Sequence, residues 1–568
     1  MPVTFAAESV TIIADELDPS DPDPVSDISR ALAVLAPLRV RARDSLRAEV
    51  APDGRIDPDR LDAAQTRAHG LAWLETTYAA ITALHSWAER LEADNRRGEL
   101  ETAVLTVAAG EALDQILGGM PIGPGETVRP RDFGLDDAEI AACAADPSVE
   151  ALRQAAAAPD TRHHLVVSMI ESLAHPTAGH TGLDADMEMI RDQFCRYVVE
   201  RIAPEAQDWH LNDALVPDAV VAELAEMGVF ALTIPEAHGG LEMSKTAMCV
   251  VSEELSRGWL GVGSLATRTE IAAELILGGG TEAQKARWLP ALAAGEVLPA
   301  AVFTEPDTGS NLGALRTRAV RTGPDWEITG AKTWITHAAR AGLMTVLART
   351  DPDSRDHRGL SMFLVEKTPG TCAAPFPDPG LSGGEIEVLG YRGMKEYTLG
   401  LDAVAVPGDG LLGGIEGAGF RQLMATFESA RIQTAARAVG VAQSALDLAL
   451  RYALERTQFG KPLHAFPRIA NKLALMAAET MMARQLTYAA AAAKDGGARC
   501  DLEAGMAKLL AARVAWTAAD AGVQVHGGNG FALEYPISRV LCDARILSIF
   551  EGSSEIQAQV VARRLLED

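Results

Sequence analysis

The strongest constraint on this fold is a change of period partway along the chain. Up to Leu298 the apolar residues recur every three or four positions, from Pro299 they follow short strand-like runs, and from Gly419 the helical spacing returns. Such a chain is expected to be α+β, with one compact β domain of about 110 residues held between helical blocks. The expected strands are Val302–Phe303 running into the Glu305–Asn311 turn, a hairpin over Trp326–Thr336, Met344–Ala348, Leu360–Val365 and Ala403–Val406.

The helical blocks show their buried faces directly. Leu71, Leu74, Tyr78, Ile81, Leu84 and Trp87 form one stripe, and a second helix over Leu100–Leu117 ends at Gly118-Gly119, with Pro121 as a stop. Residues 121–184 are richer in Pro, Gly and Asp. His163, His164 and His175 lie there without neighbouring ligand types and read as surface residues. Further helices are expected through Met189–Ile202, Val220–Met227, a capped segment after Thr281, then Phe420–Arg456, Ile469–Lys494, Asp501–Val525 and Ser554–Glu567. The resulting division is an N-terminal helical extension (1–183), a helical domain (184–299), a β domain (300–409) and a C-terminal helical bundle (410–568).

Two segments look alike. Glu75 and the later Gln115 before Gly118-Gly119 parallel Glu479 and the later Gln524 before Gly527-Gly528, each pair on the order of forty positions apart. Chance likeness between alanine-rich helices is one reading. The other makes the extension a worn copy of the C-terminal bundle, packed where another subunit's bundle would sit, which leaves a dimer.

The net charge of −27 argues against nucleic acid or an anionic membrane as main partner. Cys143, Cys195, Cys249, Cys372, Cys500 and Cys542 show no metal-ligand spacing and no disulfide framework. No apolar run reaches membrane-spanning length and no signal peptide is visible, so a cytoplasmic protein is expected.

Several residues invite chemistry. In Phe550-Glu551-Gly552 the apolar neighbours Ile549 and Phe550 would dry a carboxylate and make it a stronger base, although a Glu-Gly pair is more often a solvated turn. Arg268 shares a helix face with Leu265, Ile271, Ala272 and Leu275, so it needs a buried anion, either Glu270 or Glu274 or an anionic substrate group. Thr304, Ser310, Trp334 and Thr336 suit a flat heteroaromatic ring, with hydroxyls at its edge and an indole on its face. Arg456 and the glycine-rich turn after Gln524 could meet a phosphate, or simply end helices. No GxGxxG opens a helix after a strand, and Gly417-Ala418-Gly419 lacks that context, which argues against a Rossmann site.

Taken in order, Phe303-Thr304-Glu305-Pro306, Trp334-Ile335-Thr336, Arg456-Thr457-Gln458-Phe459-Gly460, Gln524-Val525-His526-Gly527-Gly528-Asn529-Gly530 and Phe550-Glu551-Gly552 resemble the FAD-dependent acyl-CoA dehydrogenase family over roughly residues 185–568. The resemblance implies that family's fold: a helical domain, a central β-barrel or sheet domain and a C-terminal four-helix bundle, here with an added N-terminal extension. It implies FAD lined by Phe303, Thr304, Ser310, Trp334 and Thr336. It further implies that Arg456, Phe459, Gln524, Gly527 and Gly528 reach the neighbouring subunit's FAD, with Ser553 and Glu555 near the adenosine half. Of the two family positions for the base, the helix one is Ala430 here, which leaves Glu551, as in the medium-chain and glutaryl types. Glu551 would then take the α-proton of an acyl-CoA while the β-hydride goes to the flavin. Ser310, Phe550 and Gly552 would border the thioester, and electrons would pass to an electron-transfer flavoprotein.

Arg268, Arg431 and Arg437 make the expected substrate a dicarboxylic acyl-CoA, although Arg431 is equally readable as structural, and the resemblance over the whole chain, extension included, implies that the acyl group is short and branched. Glutaryl-type members carry their arginine near Val262, so here the cation comes from elsewhere. The alternatives are another short-chain or glutaryl-type substrate, an oxidase, or a DNA-associated flavoprotein of the same fold, which would need a basic surface.

Overall fold

The computed structural model describes residues 23–123, 125–172, 177–371 and 373–567, so His175 and Cys372 lie outside the described residues. Its residues group into two compact units: the described chain up to Cys195 together with Thr434 onward, and Arg196–Gln433. One sheet, flanked in sequence by helices on both sides, makes the chain α+β as its patterning implies.

In the Arg196–Gln433 unit a mixed sheet of seven strands is resolved among the described residues. Pro299–Val302 runs parallel to Leu343–Arg349, which pairs antiparallel with Leu360–Glu366. Arg318–Thr322, Asp325–Thr336, Glu396–Val406 and Leu381–Ile386 continue the sheet as antiparallel neighbours. Leu343–Arg349 is apolar almost without a break because both its faces are covered. Leu343 and Leu347 pack with Ile271, Leu275 and Leu289 of the helices Leu265–Gly279 and Glu282–Ala293, while Met344 and Val346 join Trp326, Ile328 and Phe363 on the other side. The Glu282–Ala293 helix starts where expected, since Thr281 and Gln284 cap each other's backbone N–H.

Two local expectations are corrected. Trp326–Thr336 is not itself a hairpin but part of one long strand, whose hairpin partner is Arg318–Thr322 across the Gly323-Pro324 turn. The alternation that marks it breaks at Thr333-Trp334, where a bulge shifts the register. Pro121 does not merely stop a helix. It lies in Met120–Gly123, which pairs with Glu126–Val128 in a small ladder.

In the other unit the extension does not stand apart. Helices Gln65–Ala93 and Glu99–Gly118 pack on Pro467–Asp495, and Gln65–Ala93 also packs on Ser554–Glu567. Polar contacts pin this packing: Arg90 to Gln485 (3.1 Å), Arg162 to Asn471 (2.9 Å) and Arg513 to Gln115 (3.2 Å). The predicted stripe is buried, apart from a half-buried Tyr78 that carries Arg39 over its ring. His163 and His164 are exposed. Among the described residues no helix is long and apolar enough to cross a membrane.

Candidate active site

The flavin-type residues sit at one corner of the sheet, and a buried lysine builds that corner. Lys332 points inward in step with Trp326 and Ile328, and its ammonium donates to the carbonyls of Phe303 (2.8 Å) and Leu347 (2.9 Å) and to Glu305 (3.2 Å). Glu305 also accepts the N–H groups of Arg316 and Thr317, each at 2.7 Å. Burial brings the Lys332 amine down to about 8 despite Glu305, whereas Glu305 is held below the usual carboxylate range because Lys332 and its backbone donors outweigh its own burial. The pair straps Phe303-Thr304-Glu305 to the long strand, and Thr333 N donates to Thr304 O at 3.0 Å. An inward lysine within an alternating strand was the signal available for this pair.

The bulge then turns Trp334 outward, at φ 57° and 56 % exposed. Thr336 is buried and donates to Glu396 at 2.8 Å, while Ser310 lies exposed in the turn that brings Gly309 back towards Thr304. A bare indole beside hydroxyls and a bulged backbone fits the edge and face of an isoalloxazine ring. Phe303 is buried beneath this corner and half-buried Thr304 lies on it.

Arg268 lies in the same unit and is 8 % exposed. The carboxylates next to it in sequence carry contacts of their own. Lys245 bonds Glu270 and Glu274 (2.7 Å to the latter), Thr233 donates to Glu270, and Ser429 donates to Glu274 at 2.6 Å. Burial opposes the charge on Lys245, but the two carboxylates push its amine up. Arg268 reaches the Tyr391 hydroxyl at 3.5 Å. Val262, where glutaryl types carry their cation, is buried. Arg431 is half-buried with its guanidinium 5.8 Å from the Phe427 ring centre, and Ala430 beside it is buried.

In the other unit, Phe550-Glu551-Gly552 forms the link between helices Ile537–Ile546 and Ser554–Glu567. Glu551 and Gly552 are both left-handed, at φ 55° and 85°. Gly552 is favoured by that φ, and a Cβ there would displace the Gln557 amide. Gln557 donates to Glu551 O (3.1 Å) and Gly552 O (3.2 Å), and Lys508 donates to Gly552 O at 2.6 Å. Arg437 is fully buried, donates to Thr434 (2.7 Å) and lies 5.0 Å from the Phe550 ring centre. The expected drying is partial, since Phe550 is half-buried but Ile549 is exposed. Ser553 bonds Glu555 and is the main cause holding that carboxyl low, with His69 of the extension and Lys508 adding to it.

The remaining cofactor-type residues face outward. Phe459-Gly460 turns the short ladder Thr457–Gln458 to Lys461–Pro462, both residues at positive φ, and leaves Phe459 93 % exposed beside an exposed Arg456. Gln524, Gly527, Gly528 and Phe531 are exposed as well. Sequence reasoning missed what joins the two loops. Tyr452 stacks on His526 at 4.2 Å, and Asn529 donates to both Tyr452 (3.0 Å) and Tyr535 (2.9 Å).

With this geometry in place, three family models match the chain: acyl-CoA dehydrogenase N-terminal domain over residues 184–296, middle domain over 300–404 and C-terminal domain over 417–566. A (2S)-methylsuccinyl-CoA dehydrogenase of Cereibacter sphaeroides is 60% identical over 539 residues, covering 95% of this chain and 97% of its own. The structure of a glutaryl-CoA dehydrogenase from Mycobacterium smegmatis in complex with FADH2 matches with a TM-score of 0.62 at 29% identity, over 67% of this chain and 95% of that one. A chain in the structure of an electron transferring flavoprotein of Acidaminococcus fermentans matches with a TM-score of 0.64 at 32% identity, over 68% of this chain and 99% of that one.

Proposed function

This chain belongs to the acyl-CoA dehydrogenase family and is an FAD-dependent oxidoreductase acting on an acyl-CoA; on that premise we propose that it converts (2S)-methylsuccinyl-CoA to mesaconyl-CoA. The likeness to the Cereibacter sphaeroides enzyme supports this reading because it spans 95% of this chain, against 67% for the glutaryl-CoA dehydrogenase match. The dicarboxylic part is supported by Arg268, a guanidinium buried on a helix face that it shares with Leu265, Ile271, Ala272 and Leu275. An arginine in that setting suits a substrate carboxylate, with the Tyr391 hydroxyl beside it as a second donor.

FAD, when bound, accepts the β-hydride of the acyl chain. Phe303, Thr304, Ser310, Trp334 and Thr336 hold its ring. Arg456, Phe459, Gln524, Gly527 and Gly528, exposed on this chain, meet the FAD of a second subunit, and Ser553 and Glu555 lie towards the adenosine half. Glu551 takes the α-proton, and the left-handed backbone beneath it fixes the carboxylate's starting direction. Ser310, Phe550 and Gly552 border the thioester, and Arg431 and Arg437 shape the acyl end. The partners are an electron-transfer flavoprotein and a second copy of the chain. Among the described residues no cysteine is joined in a disulfide, which suits a cytoplasmic setting.

Arg268→Ala tests the substrate reading. Loss of a charge-assisted pair should raise KM for methylsuccinyl-CoA by about tenfold or more while butyryl-CoA changes by less than about threefold. Equal losses on both thioesters would reject it.

A further inference from the structure

The Asp501–His526 helix carries a lysine in its apolar interior. Lys508 is 0 % exposed, between Ala507 and Leu509-Leu510. A buried ammonium is costly without acceptors, and this one donates at 2.6 Å to the carbonyl of Gly552, the residue after Glu551. The approach is made possible one turn earlier. Gly505 faces Val561 and Gln557 of the Ser554–Glu567 helix, and a Cβ there would lie 2.9 Å from Val561 Cγ2. Gln557, also fully buried, grips the same turn from the other side through the carbonyls of Glu551 and Gly552. Two buried donors therefore close on two consecutive carbonyls in a left-handed backbone, which costs a non-glycine residue about 1 kcal/mol or more.

We infer that Lys508 is a positioning residue for Glu551, fixing through the Gly552 carbonyl the direction in which the carboxylate leaves its turn. The inference rests on Glu551 being the base. Lys508 touches neither substrate nor flavin in this role. Removing it lets the Gly552–Ser553 peptide rotate and loosens the turn that carries Glu551, so that the α-proton is met at the wrong distance or angle.

The test uses the full-length flavin-loaded enzyme with methylsuccinyl-CoA and its α-deuterated form. Lys508→Met should keep its flavin and hold KM within about threefold, while kcat falls by about 30- to 100-fold, the scale expected for a displaced catalytic group. The α-deuterium isotope effect on kcat should rise, a change that a merely structural role would not produce. In Lys508→Ala, added methylammonium should restore part of kcat. If Lys508→Met does not accumulate as a holoenzyme, Lys508→Gln serves in its place, with a smaller fall in kcat and the same rise in isotope effect. Unchanged kcat, or a fall with an unchanged isotope effect, overturns the inference. Glu551→Gln is assayed in parallel. If it still dehydrogenates, the base assignment itself fails; if it is inactive while Lys508→Met behaves as wild type, only the role of Lys508 fails.

Discussion

Trp334, His337, Tyr391 and Lys395 all hold a left-handed backbone without being glycine, and His337 N donates to Lys395 O at 3.0 Å. Such strain costs on the order of 1–3 kcal/mol per residue and gathers where a fold serves a site. His337 adds a second cost, for its ring is buried and neither nitrogen has a hydrogen-bond partner among the described residues. Burial, with Arg340, Arg268 and Lys367 adding to it, brings the imidazole from 6.5 down to about 3. Below pH 6.5 the unfolded chain binds a proton that the folded chain refuses until about pH 3, so stability falls as pH falls through that window. His337→Asn should therefore lose about 2 kcal/mol less than wild type between pH 7.5 and 5, read as the shift in denaturant midpoint. Parallel losses would contradict the assignment. The burial of Arg268 was legible in the sequence because a charge on an apolar helix face breaks a pattern, whereas Glu551 stood out as a candidate base only through the ordered motifs around it. Lys508 broke its pattern equally, but its acceptor is a backbone carbonyl more than forty residues later, a pairing that side-chain periodicity does not encode.

At the scale of elements, the strands show where legibility ends. Trp326 and Ile328 alternate with exposed neighbours and mark their strand, and Lys332 keeps that inward parity, but two buried residues in succession, Lys332 and Thr333, break it just where Trp334 must turn out. A bulge is set by pairing with Glu396–Val406, so it becomes visible only when the partner strand is known. Leu381–Ile386 gave no strand signal because its inner positions Ser382 to Glu385 are exposed and two of them are glycine. The helices were easier. Their apolar stripes repeat over many turns, and caps such as Thr281 with Gln284 lie within four residues of one another. The loops that expose Phe459 and Phe531 could be placed after their helices, but not the Tyr452, His526 and Asn529 contacts that join them.

For the whole molecule, the N-terminal helices occupy the outer faces of Pro467–Asp495 and Ser554–Glu567, through contacts such as Arg90 with Gln485 and His69 with Gln559 (3.2 Å). A face already covered within the chain is closed to a further subunit, whereas the exposed Phe459 and Phe531 at 93 % and 91 % leave the other loop face open to one. Light scattering of the holoenzyme should accordingly give the mass of two chains, and a tetramer would contradict this role for the extension. The substrate itself is read out by anaerobic bleaching of the flavin. Against butyryl-, succinyl-, glutaryl- and methylsuccinyl-CoA, (2S)-methylsuccinyl-CoA should bleach it rapidly and fully, with the others slow or incomplete. Faster bleaching by butyryl-CoA, with the dicarboxylic thioesters inert, would contradict that substrate.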